Sequence, residues 1–106
     1  MGRIVIVAYT PKPGMEQALL AAVGKHQAVL RTEKLATDRP ACIMKAADGT
    51  IVEVFEWRDA EAIKAAHENP AVQALWVEFM AACDFTPLSG LPEASQMFAE
   101  FEPLTL

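Results

Sequence analysis

The Asp48-Gly49 pair constrains this chain more than any other feature. It stands between two runs that read as strands, Ala41 to Ala47 and Ile51 to Trp57. Asp-Gly favours a tight hairpin turn, because glycine accepts the positive φ that such a turn requires. A pair of neighbouring antiparallel strands follows from this alone. The second strand alternates, so Ile51, Glu53, Phe55 and Trp57 share one face and Glu56 takes the other. A carboxylate on an apolar face must be paired or neutralised. Glu53 is therefore either an ion-pair partner of Arg3 or Lys45 on a neighbouring strand, or an acid–base group.

The other elements are placed around this hairpin. Arg3 to Thr10 is rich in β-branched residues and apolar on both sides, as in a strand covered on both faces. Pro11-Lys12-Pro13-Gly14 ends it. Met15 to about Arg31 has helical spacing through Leu19, Leu20, Val23 and Leu30, with Glu16 near its start and Arg31 near its end. His26 falls on the edge of that apolar stripe and reads as solvated or satisfied by a partner. Asp59 is a natural N-cap for a helix from Ala60 to His67, and Asn69-Pro70 interrupts it. The helix resumes to about Cys83 with Val72, Leu75, Trp76 and Phe79 on one face. Thr86 to Pro92 reads as loop and Met97 to Phe101 as a last strand. The order is β-α-β-β-α-β with the second helix broken. It predicts an α+β, ferredoxin-like chain with an antiparallel four-stranded sheet, one domain over residues 1–106.

Composition narrows the partners. The chain is 53% apolar, high for a small domain, and burial against a second copy is one outlet, so a homodimer is expected. A net charge of −5 and scattered basic residues argue against nucleic acid and an anionic membrane. Gly2 to Ala8 is too short for a signal segment and no run approaches a membrane span, so a cytoplasmic protein is expected. Cys42 and Cys83 lie far apart without a CxxC or Cys/His cluster; both read as reduced core thiols, and no metal site is expected. No phosphate loop, nucleophile elbow or paired-carboxylate motif appears.

Three stretches carry a resemblance. They are the opening strand with the helix start Pro13-Gly14-Met15-Glu16, the hairpin into Glu53-Val-Phe-Glu-Trp57, and Asp59-x-Glu61-Ala62 leading to His67-x-x-Pro70. Over nearly the whole chain they resemble the antibiotic-biosynthesis-monooxygenase-like branch of the dimeric α/β-barrel superfamily. The resemblance implies two sheets paired face to face across a dimer, with a pocket in each protomer between sheet and helices. It implies cofactor-independent oxygenation of aromatic polyketides or quinols, haem degradation, or small-molecule binding alone. The haem-degrading members combine a helical His with a nearby Trp, which His67 with Trp57 or Trp76 matches. They also use an Asn on the first strand, where this chain has Val7-Ala8-Tyr9-Thr10.

The candidate site follows from both readings. His67 is the candidate base, since an imidazole accepts a proton from a phenol near neutral pH. Glu53 would orient it or act as a base itself. Tyr9, Trp57, Trp76 and Phe79 would line a dry pocket for a small aromatic molecule. The leading expectation is a ligand-binding protein acting as a monooxygenase on a phenol or quinol, with no cofactor required. A non-catalytic binding or interaction module is the alternative, and haem binding is a third reading.

Overall fold

The predicted hairpin forms. In the computed structural model, which describes residues 1–106, Gly49 has φ +94°, and the Thr50 N–H donates to Asp48 Oδ1 at 2.9 Å. The turn joins β2 (Cys42–Lys45) to β3 (Ile51–Trp57). β1 (Arg3–Pro11) lies on the other side of β3. Glu53 is opposite Val7 on β1 and Ile43 on β2, which puts it in the middle of the sheet.

The chain continues through α1 (Glu16–Thr32), α2 (Ala60–Ala66), α3 (Pro70–Ala82), β4 (Cys83–Thr86) and β5 (Glu102–Leu104). The sheet order is β4-β1-β3-β2-β5, and every neighbouring pair is antiparallel. The result is an α+β fold with an open sheet of five strands and three helices. The order of the first four strands is compatible with a ferredoxin-like arrangement.

The strand count and two boundaries correct the sequence reading. Four strands were expected and five are present. Residues Met97 to Phe101 are not a strand; Met97 and Phe98 are exposed, and the strand comes later, at β5. Pro103 in β5 is tolerated because β5 is an edge. Cys83 to Thr86, read as helix end and loop, is β4. Cys83 is at once the C-cap of α3 and the first residue of β4, so no linker marks the change. β4 exists through its pairing with β1, where Phe85 stands opposite Tyr9, and local propensity does not reveal it.

Sheet alternation assigns the two faces. Val5, Val7, Tyr9, Ile51, Glu53, Phe55 and Trp57 face the helices. α1 answers with Leu19, Ala22, Val23, His26 and Leu30, and α3 with Val72, Leu75 and Phe79. On the helix-free face, Leu91 and Phe101 pack with Ala8 and Val52, whereas Ile4 and Ile6 stay exposed. Cys42 is on that face, opposite Val54, and is exposed; only Cys83 is the buried thiol expected of both. No helix is long and apolar enough to cross a membrane.

Both predicted helix starts carry their caps. Asp59 Oδ1 accepts from the Ala62 N–H at 2.8 Å, and the neighbouring Arg58 guanidinium holds this carboxyl below its ordinary range. Asn69 Oδ1 accepts from the Val72 N–H at 3.1 Å, while its amide donates to Glu33 Oε1 at 2.9 Å. Asn69→Ala removes both bonds and is expected to destabilise the fold by about 1 kcal/mol. A urea midpoint shift without change in slope would register it; an unmoved midpoint would show that the cap is not formed in solution.

Candidate functional site

A cavity of ≈ 370 Å³ opens between the helix side of β1 and β3 and the helices α1 and α3. Val5, Val7, Phe55 and Trp57 form its sheet wall, and Trp76 and Phe79 its helix wall. Tyr9 and His26 complete the buried part, and His67 and Phe85, both exposed, form the rim. Of the predicted residues, the structure thus brings Tyr9, Trp57, Trp76, Phe79 and His67 to one space, with Glu53 behind Tyr9 and His26. A larger hollow of ≈ 460 Å³ between α1, β2 and the chain end contains none of them.

The buried polar groups beside this cavity form one connected chain. The Tyr9 hydroxyl donates to Glu53 Oε1 at 2.7 Å. His26 Nδ1 is 2.8 Å from the same oxygen, and the Trp76 indole N–H donates to His26 Nε2 at 3.4 Å. Glu53 is wholly buried and Tyr9 and His26 almost so, with relative exposures of 0%, 1% and 3%. Geometry explains the convergence. Tyr9 is a diagonal neighbour of Glu53 on the same sheet face, and His26 lies on the buried stripe of α1. Glu53 Oε2 has no protein partner. Burial first, and the Glu53 charge second, push the Tyr9 phenol far above its ordinary ionisation range, so Tyr9 remains a neutral donor.

Two assignments change. Glu53 takes neither expected cation: Lys45 Nζ bonds Glu16 at 3.0 Å instead. Nor does Glu53 orient His67; it holds His26. His67 caps α2, is exposed, and meets only the edge of Trp76, with centroids 5.2 Å apart. Its position just before the Asn69-Pro70 break carries it to the rim. His26 is the residue sequence reasoning undervalued. The available signal was its place among Leu19, Ala22, Val23 and Leu30, facing a strand with one apolar-face carboxylate. Phe85 was missed because β4 was; it meets Tyr9 edge-on at 5.6 Å. Glu56 is on the far face as predicted, where hydrogen bonds from Thr37 and then Arg39 hold its carboxyl low.

Haem does not fit these residues. His26 is almost wholly buried, and the other imidazole, His67, lies exposed at the rim. No cationic side chain lines the cavity to meet haem carboxylates. No cluster of three or more His, Cys, Asp or Glu converges as a metal-ligand set.

No family model matches this chain, and no curated protein or solved structure matches it either.

Proposed function

We propose that this protein binds a flat, mainly apolar aromatic carrying a hydroxyl group and oxidises it with molecular oxygen, as the resemblance to the monooxygenase-like family implies. The observation that carries this reading is an imidazole in the wall of an aromatic cavity, backed by a wholly buried carboxylate. His26, rather than His67, is the base.

His26 Nε2 takes the phenolic proton, and Glu53 stabilises the imidazolium that results. The phenolate passes one electron to oxygen, giving an aryloxyl radical and superoxide. These combine at an activated ring carbon and form a C–O bond. Loss of that carbon's proton and cleavage of the O–O bond then release water and leave a carbonyl. One oxygen atom stays in the quinone product and the other leaves as water, so phenol plus oxygen balances quinone plus water. The apolar walls exclude bulk water from the radical pair. Exposed Ile4 and Ile6 on the helix-free sheet face support a homodimer as the working form.

Oxygen uptake by metal-free protein with a panel of quinols and anthrone-like phenols tests this reading. Uptake should exceed the spontaneous rate and fall on the order of 100-fold or more in His26→Asn, with folding checked by circular dichroism. His67→Ala should retain most of the rate. Binding without stimulated uptake would leave a non-catalytic module, a reading that the Trp76 contact on His26 Nε2 favours.

A further inference from the structure

The two partners of His26 agree on where its proton sits. Glu53 Oε1 is an acceptor that already receives the Tyr9 hydroxyl, so His26 Nδ1 at 2.8 Å must carry a hydrogen to bond it. The indole N–H of Trp76 can only donate, so His26 Nε2 at 3.4 Å must present a lone pair. Protonating Nε2 would set one N–H against another. Both ends of the ring therefore specify the neutral Nδ1–H tautomer, the form able to accept a proton on its cavity side.

The two bonds are unequal. At 2.8 Å the contact with Glu53 is of ordinary length for a charge-assisted bond, whereas 3.4 Å to Trp76 is at the outer limit. Trp76 is also only partly buried, while His26 is nearly inaccessible. The Trp76 contact is the replaceable one. A ligand hydroxyl at ordinary O–H···N length would make a better donor to Nε2 than the indole does. A ligand carbonyl offers only lone pairs and would meet another lone pair there.

We infer that Trp76 is a positioning residue that keeps His26 in its proton-accepting tautomer, and that a ligand hydroxyl takes the place of the indole at Nε2. The cavity thereby selects a reduced, hydroxyl-bearing aromatic over its oxidised, carbonyl-bearing counterpart. The selection step rests on the hydroxyaromatic reading above; the tautomer does not. In an oxidation it gives release a direction: once the hydroxyl has become a carbonyl, the product loses its bond to Nε2 and the indole returns.

The tautomer is read without ligand, from long-range proton–nitrogen NMR correlations of the two imidazoles. His26 should show hydrogen on Nδ1 and none on Nε2. In Trp76→Phe, which keeps an aromatic ring on α3, Nδ1 should keep its hydrogen on Glu53 while Nε2 gains one. Selection is read by titrating naphthol and naphthoquinone, two probes of similar size and shape. Wild type should prefer naphthol on the order of 10- to 100-fold, and Trp76→Phe should bring the ratio toward one. Hydrogen on Nε2 in the wild type would overturn the assignment, and a His26 spectrum unchanged in Trp76→Phe would overturn the role given to Trp76. Equal affinity for the two probes would overturn the selection. Binding of neither would overturn the selection together with the proposed function, and would leave the tautomer to its own spectrum.

Discussion

Replacing Glu53 with alanine is expected to lower the unfolding free energy by about 2–6 kcal/mol, because two buried donors lose their shared acceptor at about 1–3 kcal/mol each. The Tyr9 hydroxyl and His26 Nδ1–H would both be left without an acceptor in the middle of the sheet. Glu53→Gln keeps one carbonyl oxygen as acceptor and should cost about 1–3 kcal/mol. Urea unfolding followed by circular dichroism measures both. A loss below about 1 kcal/mol for the alanine variant would show that the network is not formed or that water replaces the carboxylate readily. An apolar replacement of the whole network, Tyr9→Phe with Glu53→Leu and His26→Phe, separates folding from function. Replacing all partners of a buried hydrogen-bond cluster together by apolar groups of similar shape is nearly neutral. A stable triple variant that binds no ligand would show that this polar cluster serves the cavity and not the fold.

The second large effect is alkaline. Tyr9 ionises near 10.0 in the unfolded chain and far above that in the folded protein. Below that pH both states keep the proton, and the contribution of Tyr9 to stability is fully present. Above it the unfolded chain releases a proton that the folded protein retains, so stability should fall by about 1.4 kcal/mol per pH unit. Burial also raises the Cys83 thiol, which adds a loss of the same sign starting near the ordinary thiol value. Comparing wild type with Tyr9→Phe isolates the phenol. The chain has one tyrosine, so phenolate absorbance during the titration reports Tyr9 alone. Absorbance should rise only as the protein unfolds. A phenolate signal in folded protein near pH 10 would mean that Tyr9 is accessible to solvent and not bonded to Glu53.

What the sequence disclosed depended on how local the cause was. The Asp48-Gly49 turn, the face shared by Ile51, Glu53, Phe55 and Trp57, the cap Asp59 and the break at Asn69-Pro70 were legible because each is decided within a few residues. β4 and β5 were not, because a strand of four or three residues is stable only through its neighbour. Met97 to Phe101 has strand-like apolar content, yet Met97 and Phe98 face solvent. The aromatic lining of the cavity and the inward-facing Glu53 were legible, but the pairing of Glu53 with His26 was not. His26 and Glu53 are 27 residues apart, and their pairing depends on how α1 is rotated over the sheet. His67 attracted the base role through its closeness in sequence to Trp57 and Trp76, and the break before α3 leaves it at the surface.

His67 and Phe85 stand apart from the buried hydrogen-bond chain and are both exposed. Substitutions at such positions are usually close to neutral for folding. Tyr9, His26 and Glu53 have less freedom, since each shares a buried hydrogen bond with another and loss of Glu53 strands both partners. Mutational tolerance is therefore divided across this cavity. Its entrance can diversify in size and polarity while its depth stays unchanged, so the opening can be reshaped over one fixed hydrogen-bond network. A designer seeking a new ligand for this scaffold would begin at positions 67 and 85 and leave the depth alone.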